Sequence, residues 1–308
     1  MARPGLRRRT RCLAVLLALL PWCSGFGFAG LLAGPVIAAP PASPGALRVV
    51  TLAPHITELV YAAGAGRRLV ATVSSSNFPP EARTLPRVGD GLSVNVERLL
   101  ALQPDLVLAW QHSPATRRLE PVLAGLDIAL DWVAPQSLDA IVDAVEDLGR
   151  RLGSTETATR KAAALRAELR TLRKRYSARA PVSVFIEVGT APLYTLGKDA
   201  LTLDALTSCG ARNIFADARR VAPTVGPEDV LHRRPDVVIV AAANGQRIAE
   251  RRAYWEGLGL KARIAGMDPD ALLRPGPRLI TASGTLCRLV DEARTAGNQA
   301  GSGRPDHP

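Results

Sequence analysis

Histidines, cysteines and acidic residues are where this 308-residue chain could carry chemistry, and their spacing argues against catalysis. Of four histidines, only His55 and His112 follow apolar, β-rich runs that would bring them to a cleft; His307 sits in a polar tail. A zinc or manganese carrier needs three or four clustered His and carboxylate ligands. Two on one half of the chain do not make that set, so no metal held by the protein alone is expected. There is no nucleophile elbow, P-loop or HExxH, and Gly64-Ala65-Gly66 lacks the third glycine of a dinucleotide fingerprint. That run follows a helical pattern and reads as a helix end and turn. Nothing positive supports an enzyme, and a binding role is expected.

Charge and cysteine usage depend on the N-terminus. Residues 1–11 carry five arginines, Cys12 to Ala39 carries no charge, and Val36 and Ala38 offer a small-x-small site ahead of Pro40. This is the pattern of a secretory leader over residues 1–38, with an uncleaved membrane anchor as the competing reading. Its loss would take five positive charges from the net +11 and leave +6. Only four of the 39 basic residues are lysines, so the remainder reads as Arg-rich bias, and no nucleic-acid partner is expected. The expected location is the periplasm. The two cysteines that remain, Cys209 and Cys287, read as one disulfide in an oxidising compartment or as two separate buried thiols.

The elements that must position any site come in two sets. β-rich runs at Arg48–Ala53, Leu69–Val73, Asp105–Trp110 and Ile128–Val133 alternate with helix-length segments, and the pattern restarts with Val182–Val188 and Asp236–Ala242. Runs such as Val237-Val238-Ile239-Val240 are apolar on both faces, as buried parallel strands are. Ser154 to Ala180 contains neither Gly nor Pro, and Leu165, Leu169, Leu172 and Tyr176 mark one helical face. Ser154 reads as its N-cap, and the helix makes a connecting rod of roughly 37 Å. Glu97-Arg98-Leu99-Leu100 through Pro104-Asp105-Leu106-Val107 recurs 131 residues later as Glu228-Asp229-Val230-Leu231 through Pro235-Asp236-Val237-Val238. Physically this is a short helix, a Pro-Asp turn and a buried strand. A weaker echo relates Glu58–Gly64 to Asp204–Gly210. The fold class is therefore α/β: two lobes, each with a central, mainly parallel sheet, joined by one long α-helix. The expected boundaries are an N-terminal lobe at 47–152, a connecting helix at 153–180, a C-terminal lobe at 181–296 and a disordered tail at 297–308. In such a pair the ligand sits between the lobes, near the carboxyl ends of the strands.

Several stretches resemble the periplasmic cobalamin-binding proteins of ABC importers, within the class III periplasmic binding protein-like group that also takes siderophores and haem. These are Arg48–Leu59, Phe78–Ala82, Val94–Arg98, Pro104–Trp110, Cys209–Phe215 and Arg274–Arg278. The resemblance spans residues 47 to about 295 and is more specific for the class than for cobalamin. It implies a monomer that captures a corrinoid and delivers it to an ABC permease dimer with its ATPase subunits. It implies no cofactor beyond the cobalt the ligand carries. A ferric siderophore or haem on the same fold is the alternative.

Carried over position by position, the resemblance places Pro54, His55, Ser75, Asn77, Phe78, Gly91, Trp110, Ala222, Asp270 and Arg274 at the ligand. It makes Glu97 and Glu228 the acidic knobs that meet permease arginines, against a reading as ordinary first-turn glutamates. It also matches Cys209 and Cys287 to the family's disulfide. The chain departs from the family at Ser75, Gly91 and Ala222, where enteric members place aromatic residues against the corrin. Trp110 and Phe78 are the candidates to compensate, with Trp110 read either as a platform or as core. His55 reads either as an axial contact to a ligand-bound metal or as a solvated or helix-capping residue.

Overall fold

The two sets of apolar runs become two separate sheets in a computed structural model that describes residues 47–302. In the first half, β1 (Val49–Thr51), β2 (Leu69–Ala71), β3 (Leu106–Ala109) and β4 (Ala129–Trp132) form an all-parallel sheet in the order β2-β1-β3-β4. Their crossovers carry α1 (Pro54–Ala62), α2 (Val96–Ala101) and α3 (Pro114–Ala124). Next come α4 (Leu138–Arg151) and α5 (Thr155–Tyr176). In the second half, β5 (Val182–Thr190) pairs in parallel with β7 (Ala211–Asn213) and β8 (Val237–Ala241), and β8 pairs with β9 (Arg263–Met267). Among the strands of the described residues, β6 (Leu193–Thr195) alone runs antiparallel to its neighbour. The helices of this half are α6 (Ala200–Ser208), α7 (Pro227–Arg233), α8 (Gly245–Gly257), the short α9 (Pro269–Leu272) and α10 (Pro277–Ser302).

Period-two alternation sorts each sheet's side chains into two layers. On β3, Leu106 and Leu108 face one cluster while Val107 and Ala109 face another; on β8, Val237 and Ile239 separate in the same way from Val238 and Val240. The outer layers are private to each lobe: Leu99, Leu119 and Leu123 cover the first sheet, and Phe185, Phe215 and Trp255 belong to the second. The inner layers merge. Residues of α1, α4, α5, α6 and α10 form one cluster that reaches the inner face of both sheets.

The helix expected to join the lobes is therefore one member of a layer. Its buried face is Ala158, Ala162, Leu165, Leu169 and Tyr176, with Leu172 half-buried at the edge. Ser154 holds the N-cap position, but its hydroxyl does not cap the helix and has no hydrogen-bond partner among the described residues. α10 continues to Ser302, so the expected disordered tail from 297 is helical over its first residues. After Pro277 no proline comes before Pro305, so nothing in the chain stops the helix outright over this stretch. The expected leader over 1–38 lies outside the described residues.

The 131-residue repeat is a shared piece of construction. α2 leads into β3 and α7 into β8, each strand lying inside its sheet. Gln103 and Arg234, one repeat apart, both adopt φ of 45° just before the proline. The Asp105 carboxylate accepts the Arg48 backbone N–H at 2.7 Å, and Asp236 accepts that of Ser183 at 2.7 Å. In both lobes the Pro-Asp turn ties the start of one strand to its neighbour. The disulfide read from Cys209 and Cys287 is formed, with an S–S distance of 2.06 Å, and links the end of α6 to α10.

Candidate functional site

A network of four buried hydroxyls roots the loop that follows β2. Thr51 at the end of β1, Thr57 on α1, Thr72 after β2 and Ser76 are fully buried and bond to one another at 2.7–3.1 Å. They satisfy each other where water is excluded, and so fix the loop whose next residues are Asn77 and Phe78. Both emerge exposed, Phe78 with 41% of its surface accessible.

Across from this loop lies the segment after β9. The Asp268 carboxylate caps α9 by accepting the Asp270 N–H at 2.9 Å. Asp270 and Arg274 pair with each other at 2.5 Å. Asn77 Nδ2 donates to Asp270 Oδ2 at 2.7 Å, and Arg274 Nη1 donates to Asn77 Oδ1 at 2.8 Å. The carboxyl ends of β2 and β9 thus meet through three of the residues expected at the ligand.

Beneath this junction sits Glu58, whose side chain is 2% exposed. Arg278, at the start of α10, grips it with two bonds of 2.9 and 2.6 Å, and Arg274 reaches it at 3.4 Å. The Glu58 contact holds the Arg278 guanidinium charged more firmly than usual, and that guanidinium also covers the Phe78 ring at 4.6 Å. Glu58 and Arg278 had no assigned role in the sequence reading. A lone acid inside the apolar run of α1 is the signal that a buried cation must come from elsewhere.

His55, at the second position of α1, is buried rather than solvated. Trp110 packs edge-on against it, with ring centroids 5.0 Å apart. Burial pushes its pKa down to about 3; the Val133 carbonyl opposes the shift and the Arg274 charge adds to it. The imidazole is neutral, and its Nε2 has no hydrogen-bond partner among the described residues. Trp110 divides its surface between this contact and solvent, 40% of it accessible.

Of the remaining expected residues, Pro54 opens α1, and Ser75, Gly91 and Ala222 lie on the loops that follow β2 and β7. Pro54 is half-buried, Ser75 and Ala222 are exposed, and Gly91 takes a left-handed φ of 92°. The Asp90 carboxylate shapes the Gly91 loop by accepting the Leu92 and Ser93 N–H groups, and those bonds hold it below the usual carboxylate range. Apolar side chains stand beside two of the three small positions. Leu92, next to Gly91, is 87% exposed, and Val221, next to Ala222, is 56% exposed. Tyr194 on β6 is also partly open. Sequence reasoning assigned no role to Tyr194 or Val221.

Glu97 and Glu228 are exposed in the first turns of α2 and α7 and make no salt bridge with any described residue. A groove of about 580 Å³ between β4 and α4 shares no residue with the cleft set.

Residues 49–257 match the family described as periplasmic binding protein. The chain is 36% identical to a protein named vitamin B12-binding protein from Pectobacterium atrosepticum, over 82% of its own length and 91% of the relative's. Its structure is similar to that of the periplasmic vitamin B12 binding protein BtuF of Vibrio cholerae. The TM-score is 0.73 at 30% identity, covering 81% of this chain and 98% of that one. A periplasmic heme-binding protein, RhuT from Roseiflexus sp. RS-1, aligns with a TM-score of 0.67 at 28% identity, over 81% and 99%.

Proposed function

The chain belongs to the periplasmic binding protein family, and we propose that it captures cobalamin or a related corrinoid between its lobes and passes it to an ABC permease. The observation that carries this reading is the similarity to vitamin B12-binding proteins along nearly their whole length. The cleft supports it. Phe78, Trp110, Leu92, Val221 and Tyr194 offer apolar surface at the ends of the two sheets, in place of the aromatic residues missing at Ser75, Gly91 and Ala222. Large aromatic or apolar platforms beside a few fixed polar groups are what a bulky planar ligand requires.

On this reading the protein is a periplasmic monomer without catalytic activity. The ligand brings its own cobalt, and the chain contributes no cofactor. Glu97 and Glu228 are the docking points. Each stands exposed at the start of a helix that leads into an interior strand, one per lobe, as a two-fold permease dimer would engage them. Replacing both with Lys is expected to abolish uptake through the permease while leaving ligand affinity within about twofold, because like charges would then meet across the contact.

Titration calorimetry with cyanocobalamin, hemin and a ferric siderophore tests the ligand. Saturable binding of cyanocobalamin alone is expected. Tight binding of hemin with no response to cyanocobalamin would overturn the corrinoid reading.

A further inference from the structure

Asp270 and Arg274 set an acceptor and a donor side by side, and the group now filling that edge belongs to the protein. Asp270 Oδ2 accepts an N–H from Asn77 at 2.7 Å, and Arg274 Nη1 donates to the carbonyl oxygen of the same side chain at 2.8 Å. The pair is held in register by its own 2.5 Å contact, and Arg274 is steadied from behind by buried Glu58. Such an edge is complementary to one functional group, the primary carboxamide, which offers N–H and C=O in the same plane. A carboxylate in that place would set its second oxygen against Asp270 Oδ2, a repulsion between like charges with an acceptor left unmatched.

Asn77 reaches the pair from the opposite lobe, on the loop rooted by the hydroxyl network, and its side chain is exposed. It is thus a carboxamide that an entering group can displace without uncovering core. We propose that Asn77 is an internal stand-in for the ligand: Asp270 and Arg274 form a carboxamide-reading pair, and a peripheral amide of the ligand replaces Asn77 in it. This rests on the corrinoid reading above and deepens it, because a corrin ring carries primary carboxamides around its edge whereas haem carries carboxylates. The exchange conserves hydrogen bonds for the matching group alone, so specificity arises from what a mismatched group leaves unpaired. The exchange also breaks one of the links between the β2 and β9 loops, tying ligand entry to release of the lobes at this corner.

The test is titration calorimetry on the wild-type chain, Asn77→Ala and Asp270→Asn, each with cyanocobalamin and with cobyrinic acid, whose side chains are carboxylates. Removing the competitor in Asn77→Ala is expected to tighten cyanocobalamin binding by about tenfold, the size expected when two hydrogen bonds no longer have to be surrendered first. Asp270→Asn is expected to shrink the preference for cyanocobalamin over cobyrinic acid by at least about tenfold, because the repelling oxygen is gone. Circular dichroism spectra matching the wild type show that both variants are folded. Unchanged or weaker binding by Asn77→Ala overturns the proposal, as does an undiminished preference in Asp270→Asn. Wild-type binding of cyanocobalamin with no preference over cobyrinic acid overturns it while the corrinoid reading stands. Failure of the wild type to bind cyanocobalamin removes both.

Discussion

Glu58→Gln isolates the buried ion cluster under the cleft. The carboxylate is 2% exposed, and the arginines around it, Arg278 and Arg274, keep 21% and 14% of their side-chain surface. Removing one partner of a fully buried pair costs about 3–5 kcal/mol, most of it the penalty of the charge left behind. Here both arginines retain some water, Arg274 keeps its Asp270 partner, and Gln still offers an oxygen, so the expected loss is about 2–3 kcal/mol. Urea unfolding reads it as a lower midpoint with an unchanged slope. The pairing can be separated from the packing by adding Arg278→Met. If the two side chains act as one unit, Arg278→Met alone should cost more than about 2 kcal/mol, yet the double variant should be no more than about 1 kcal/mol less stable than Glu58→Gln alone, giving a coupling energy above about 1 kcal/mol. A Glu58→Gln protein within about 0.5 kcal/mol of the wild type would refute the cluster as a stabilising element. Strict additivity would show that Arg278 is not the group Glu58 depends on.

Trp110→Ala is expected to weaken cyanocobalamin binding by about tenfold or more in calorimetry, since an aromatic platform is lost. The same change opens His55 to water, so its imidazole should begin to titrate above its present pKa of about 3, visible in NMR shifts. In the wild type, His55 has a folded-state pKa below its unfolded value, so its contribution is present above about pH 6.5 and is lost as the pH falls toward 3. A His55→Asn variant should therefore show a flatter acid limb in stability measured against pH, and an unchanged limb would contradict the burial argument. Reducing the Cys209–Cys287 bond, which spans 78 residues, should cost about 4 kcal/mol in chain entropy, measured as a lower urea midpoint under dithiothreitol.

The strands that carry the architecture were legible because their apolar content is intrinsic to the run. Val237–Ala241 needs burial on both faces wherever it goes, and the Pro-Asp turns announce where β3 and β8 begin. β6 and β7 were not legible, because three residues on the flank of β5 carry too little period to register. β9 was missed because Arg263 and Gly266 break its apolar run; its pairing with β8 supplies what its composition lacks. The candidate site divides in the same way. Its loops follow from the strand ends, but the Asn77–Asp270 contact joins residues 193 apart and the Glu58–Arg278 pair residues 220 apart. A chain with so many arginines gives no local sign of which one a buried glutamate will choose. His55 shows the opposite limit: its place after β1 was readable, whereas its burial depends on Trp110 arriving from the end of another strand.

The helical layer shared by the two sheets has a consequence for how the polypeptide can be taken apart. Neither sheet owns the cover of its inner face, since Leu165 and Leu169 of α5 sit in the same cluster as Leu106 of the first sheet and Val237 of the second. A fragment ending near residue 180 would lose α6 and α10 along with the second sheet, and so would turn a long apolar face to water. The halves are therefore not modules that selection or an engineer can recombine freely. The chain should melt as one calorimetric transition, and protease nicks between the lobes should lead to collapse of the whole rather than to a surviving half.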